Sequence, residues 1–123
     1  MKTVAVLLLV VLFAAPVYAD VVDDYKIRNA GDLVSLCSRD LSAEDYVAAQ
    51  NFCHGFAVGA YAYYRGAAAA EPELKIVCFK EPYPERTKVI ADFVAWSKAN
   101  QSFMKDSAVD TFFRFLAGAY PCK

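Results

Sequence analysis

The sequence predicts an all-α domain, a compact bundle of about four helices held by two disulfides. Three observations carry this. Apolar residues recur at three- and four-residue intervals along several segments, and no segment alternates as a half-buried strand would. The prolines between residues 72 and 84, and Pro121, fall between or after those segments, where a missing N–H does least harm. Four cysteines, an even number, lie beyond an apparent export signal, the setting in which small domains are cross-linked.

The first helix is expected over roughly 31–39, entered through Asn29-Ala-Gly-Asp32 and carrying Leu33, Leu36 and Cys37 inward. A second is expected over 43–65. Ser42 and Asp45 have the spacing of a capping box, which satisfies the free N–H groups of a helix start, and Gly66 marks its end. A looser stretch follows, because Pro72, Pro82 and Pro84 cut the chain after the alanine run into short pieces. Pro84 suits the first turn of a third helix. There Val89, Ile90, Phe93, Val94 and Ser97 keep helical spacing, with Glu85 early and Lys98 late to complement the dipole. Ser107 caps the fourth. Val109, Phe112, Phe113, Leu116, Ala117 and Tyr120 form its apolar stripe, Asp110 and Arg114 pair outside it, and Pro121 ends it.

Residues 1–19 read as a cleaved signal peptide. Lys2 precedes the apolar run Val4 to Ala15, Pro16 breaks it, and Val17-Tyr18-Ala19 offers the small residues of a cleavage site. That run has 12 residues. A spanning helix needs roughly 20. The expected mature chain, 20–123, is one domain of 104 residues with no further membrane segment. Without Lys2 it holds 12 basic and 14 acidic side chains, which gives no electrostatic footprint for nucleic acid. Its 16 aromatic residues make a packed core achievable.

The segment "NFCHGFAVGAYAYYRG", 51–66, sets Cys53 beside His54, the single histidine. On a helical wheel Gly55, Gly59, Ala62 and Gly66 fall within about 60° of one another, a smooth stripe on which another helix can pack. Tyr46, Cys53, Ala57, Ala60 and Tyr64 form a second apolar face, and Gln50, His54, Tyr61 and Arg65 a polar edge between the two. The second helix is therefore expected to be interior, with Gly55 and Gly59 as packing positions more than as a dimer face. Adjacent helical residues point about 100° apart, so Cys53 and His54 do not form a nucleophile–base pair. The Asp23–Asp24 and Glu44–Asp45 carboxylates sit at chain and helix starts, where solvation and the dipole explain them. No Cys-x-x-Cys pair and no glycine-rich phosphate loop is present. No catalytic residue, metal or cofactor is expected.

If the third and fourth helices are antiparallel, Cys78 before one meets Cys122 after the other, leaving Cys37 for Cys53. The second pair fits less well. Cys53 would lie about 15 Å along a helix begun at 43, with Cys37 close to the intervening turn. The alternative pairing, Cys37 with Cys122 and Cys53 with Cys78, stays open.

Four stretches together resemble a known family: "LVSLC", "FCHGFAVGAYAYY", "VCFKEPYPERTKVIADFVAWSKAN" and the closing "AVDTFFRFLAGAYPC". They are similar to the Tai-type (Rap/Tai) periplasmic immunity proteins of type VI secretion amidase effectors. That family is marked by a Cys-x-Gly-aromatic-x-x-Gly helix, here Cys53, Gly55, Phe56 and Gly59. A further cysteine stands before a proline-containing loop, here Cys78, and aromatic-Pro-Cys closes the chain, here Tyr120-Pro121-Cys122. The resemblance covers about 30–122. The sequence departs from the family after Cys78, where Leu-Pro is replaced by Phe79-Lys80 and proline is delayed to 82.

The resemblance implies an inhibitor, not an enzyme, which binds a cognate peptidoglycan amidase in the periplasm and blocks its cleft, often as a homodimer. Within that reading the connection "FKEPYPER", 79–86, is the candidate binding loop, with Lys80, Glu81, Tyr83, Glu85 and Arg86 as anchors. A proline-stiffened loop loses less ordering entropy on association. Its plain alternative is a solvated connection. Two other functions compete: a periplasmic acid-stress chaperone, which two disulfides would hinder from unfolding in acid, and a carrier of small apolar ligands.

Overall fold

The computed structural model describes residues 25–122, so the expected signal peptide lies outside the described residues. Four α-helices follow in order: α1 (Ala30–Cys37), α2 (Tyr46–Ala70), α3 (Arg86–Ala99) and α4 (Ala108–Ala119). Short 3-10 turns lie at Pro72–Leu74 and Gln101–Phe103. The described residues form no strand, only an isolated antiparallel bridge between Val77 and Pro121.

Helix α1 begins where Asn29 Oδ1 accepts from the Asp32 N–H at 3.0 Å, which satisfies one of the free donors of a helix start. Arg28 donates to Asp32 through its backbone N–H and its Nε, both at 3.0 Å. These bonds hold the Asp32 carboxyl below the usual carboxylate range. The entry is fixed from the other side as well, since Ala30 N donates to Asp106 O and Gly31 N to Met104 O, each at 2.9 Å. Gly31 is needed for this approach: a Cβ there would stand 3.2 Å from the Met104 carbonyl oxygen.

The interior rod is α1, not α2. Ala30, Leu33, Val34, Leu36 and Cys37 are all buried in this eight-residue helix, which packs on the other three. Helix α2 has 25 residues, yet only Ala49 and Cys53 are buried. Cys53, Ala57, Ala60 and Tyr64 do pack on the core, but the glycine stripe expected to take another helix does not. Gly55, Gly59 and Gly66 are exposed, and a Cβ added at any of them meets nothing within 4 Å. The stripe is smooth, but among the described residues the other three helices pack elsewhere and leave it uncovered.

The ends of α2 also differ from expectation. Asp45 is its N-cap but makes no side-chain capping bond, because its carboxylate pairs with Arg39 at 3.0 Å. Ser42 instead bonds Asp40 through both N–H and hydroxyl, closing a local turn. The helix therefore starts at Tyr46. It runs through Gly66 because four alanines, the best helix formers, offset one glycine. Pro72 stops it by forcing Glu71 into extended backbone, φ −128° and ψ 90°.

Helix α3 buries Val89, Ile90, Phe93, Val94 and Ser97, the face its spacing predicts. It starts at Arg86 with Glu85 as N-cap, so Pro84 lies ahead of the first turn rather than in it. Helix α4 is capped by Ser107, whose Oγ accepts from Asp110 N at 3.4 Å. It buries Ala108, Thr111, Phe112, Phe115 and Leu116, while Val109 points outward. Arg114 lies over the Phe103 ring, 4.3 Å from its centroid, rather than on Asp110. At the centre Phe93 meets Phe112 edge-on, centroids 5.2 Å apart and planes at 89°.

The disulfides are Cys37–Cys53 and Cys78–Cys122, with Cα separations of 5.5 and 4.8 Å. The first pair fits because α2 begins three residues later than expected, which brings Cys53 nearer the turn. The second pair closes the C-terminal segment against 76–78, where Cys78 N donates to Tyr120 O at 2.8 Å and Cys122 N to Ile76 O at 3.4 Å.

Candidate functional site

The connection from Lys75 to Glu85 contains no helix, so other elements must hold it. Tyr64 of α2 does most of this. Its hydroxyl accepts from the N–H groups of Ile76 and Val77 at 2.8 and 2.9 Å, and donates to the Val77 carbonyl at 3.4 Å. Just beyond, the Cys78–Cys122 bridge and the Val77–Pro121 bridge tie the strand-like segment to the C-terminus. Phe79 then packs between Tyr61 and Tyr120, with centroids 5.0 and 4.7 Å away. Tyr61 continues this aromatic row to Tyr64 at 5.8 Å, and Tyr64 to Phe113 at 5.0 Å.

This arrangement leaves an open groove of about 610 Å³ between α2, the connection and the start of α3. Its floor reaches the core through Val77, Val89, Phe112 and Leu116, all buried. Its rim is cationic, with Arg65, Lys75 and Arg86, and carries the phenols of Tyr61 and Tyr83. A second pocket of about 270 Å³ shares Tyr61, Arg65, Lys75 and Val77, so the depression continues along α2. Burial pushes the Tyr61 hydroxyl above its ordinary pKa, the Arg65 charge opposes this, and Tyr64 and Tyr83 add to it. The phenol is a neutral donor at physiological pH.

Of the five residues expected to bind a partner, Tyr83 and Arg86 line the groove. Lys80, Glu81 and Glu85 are exposed on the same connection but do not line it. Gly55 and Gly59 are exposed and do not line the groove, although Val58 and Ala62 beside them do. His54 is half-buried beside Cys53, whose sulfur is committed to the disulfide. Spacing alone misses Lys75, Val77 and Phe79, because they belong to no periodic segment. Tyr61 and Arg65 do carry a signal, as members of the polar edge of α2. Among the described residues no group of three His, Cys, Asp or Glu side chains could hold a metal ion. The groove is lined by cations, phenols, apolar side chains and one disulfide sulfur, which is chemistry for recognition.

Fold and groove together define a small disulfide-tied helical module with a preformed surface. The family model of the Rap1a immunity proteins matches residues 29–122, and the chain belongs to that family. It is thus placed among the immunity proteins, which act against a secreted effector. No curated protein and no solved structure gives a significant match.

Proposed function

We propose that this chain is a periplasmic immunity protein that binds and inhibits a type VI secretion peptidoglycan amidase, with the 79–86 connection entering the amidase cleft. The observation that carries the reading is the family match over 29–122, which spans the connection. Two features support it. Two disulfides suit an oxidising compartment. The connection presents Tyr83, 68% exposed, from a backbone already tied at Tyr64 and Cys78, so binding orders little. No helix among the described residues is long and apolar enough to cross a membrane. A homodimer is part of the proposal, with the open outer face of α2 free to receive the second copy.

The test is co-expression with candidate peptidoglycan amidases, beginning with any encoded beside this gene, exported to the periplasm. Cells that lyse with the amidase alone are expected to grow when this chain is also exported, and the two proteins to co-purify. Lysis without binding, for every cognate candidate, overturns the proposal. The carrier alternative draws on the same groove, but Val58 and Tyr83 in its lining are 43% and 68% exposed, so the groove does not enclose a small apolar molecule.

A further inference from the structure

Three cations, Arg65, Lys75 and Arg86, stand together around the groove. Among the described residues they make no ion pair, and neither do Lys80, Lys98, Lys105 and Arg114, which are not gathered at the groove. Among the described residues the groove lining contains no acid. The carboxylates of Glu71, Glu73, Glu81 and Glu85 lie on the flanking segments, exposed and outside it. This concentration does not follow from composition, because the whole chain carries a net charge of −1. Cations gathered on a low-dielectric apolar floor set up a positive potential that focuses outward.

We infer that the groove receives a segment of the effector in which an apolar side chain is flanked by carboxylates. The inference rests on the immunity reading above and specifies its partner chemistry. Val77, Val89 and Phe112 offer the apolar contact, Arg65, Lys75 and Arg86 the counter-charges, and Tyr61 and Tyr83 additional donors. Two observations favour a protein over a small amphiphile. The groove is open along its length and runs into the second pocket, which fits an extended chain. Apolar surface also continues outside it at Leu74 and Ile76, 44% and 48% exposed, and a small molecule would leave these uncovered. A second copy of this chain fits less well, since a two-fold contact of groove on groove would set the same three cations against themselves.

The test has two arms. In the first, the double variant Arg65→Glu/Arg86→Glu, a Lys75→Glu variant and a control, Lys105→Glu, are titrated against the amidase by calorimetry. All four positions are exposed, so folding is expected to persist, and circular dichroism checks it. The expected result is a loss of affinity of about tenfold or more for each groove variant, and of less than about twofold for the control. Undiminished affinity in the groove variants overturns the inference and leaves the immunity reading standing. If the wild-type chain binds no amidase, that reading falls, and the second arm decides the groove alone. There the 15N-labelled chain is titrated with the peptide Asp-Leu-Phe-Asp, blocked at both ends, with its Lys-Leu-Phe-Lys counterpart, and with laurate. Shifts at Arg65, Val77 and Tyr83 with the acidic peptide only support the inference. Equal response to both peptides, no response, or preference for laurate overturns it. So does a concentration-dependent dimer that disappears in the double variant, which would give the groove to a second copy.

Discussion

Tyr64 decides where the 75–85 connection lies, through one oxygen atom. Its ring is packed between Tyr61 and Phe113, and its hydroxyl satisfies the N–H groups of Ile76 and Val77. Replacement by Phe keeps the ring and removes the oxygen. Val77 is 3% exposed, so its N–H would lose its partner with little access to water, whereas exposed Ile76 can turn to solvent. One uncompensated buried donor costs about 1–3 kcal/mol. Tyr64→Phe is therefore expected to lower stability by roughly that amount in urea titrations. Amide exchange should rise at 76–77 while the α1 amides keep their protection. Unchanged exchange at 76–77 would mean that the disulfide alone fixes the connection. Periodicity places this tyrosine on an apolar face of its helix but does not show its role, because a phenol that caps backbone twelve residues away looks in sequence like any half-buried aromatic.

At the level of elements, legibility follows the cleanness of burial. Helix α3 has one buried face and one wet face, and its spacing names all five of its buried residues correctly. Helix α4 also carries a strong apolar stripe, but the expected stripe omits the buried Ala108, Thr111 and Phe115 and includes the exposed Val109, because apolar residues lie on both sides of this helix. Helix α2 misleads for a physical reason: small residues suit close packing and also suit an exposed face that needs no large side chain. Their cost is measurable. Gly55, Gly59 and Gly66 lie in the helix interior with open space beside each Cα. Alanine at such a position gains about 0.5–1 kcal/mol. The triple variant is expected to be more stable than the parent by about 2 kcal/mol, if the sites are independent. Its melting temperature should rise accordingly. Destabilisation would show that these glycines meet something the isolated chain does not. If α2 is the dimer face proposed above, the same variant should weaken dimerisation while it stabilises the monomer, and sedimentation analysis separates the two effects.

For the whole molecule, the two disulfides have different tasks. Cys37–Cys53 ties α1 to α2 and closes a sequence separation of 16, whereas Cys78–Cys122 closes 44 and anchors the connection that borders the groove. If the bridges act by restricting the unfolded chain, the longer loop contributes more, by about 1 kcal/mol. Replacing Cys78 and Cys122 with Ser is expected to cost about 4 kcal/mol, and Cys37 with Cys53 about 3. The functional consequence should be less even than the energetic one. Without Cys78–Cys122, only Tyr64, the Phe79 contacts and a few backbone bonds retain residues 75–86, so their amides should exchange faster even where the helices remain folded. Without Cys37–Cys53, the α1–α2 junction should loosen and the groove amides should keep their protection. Equal loosening of the groove in both variants would mean that the domain opens only as one cooperative unit. The groove would then owe its shape to the fold as a whole, with no separate contribution from the bridge beside it.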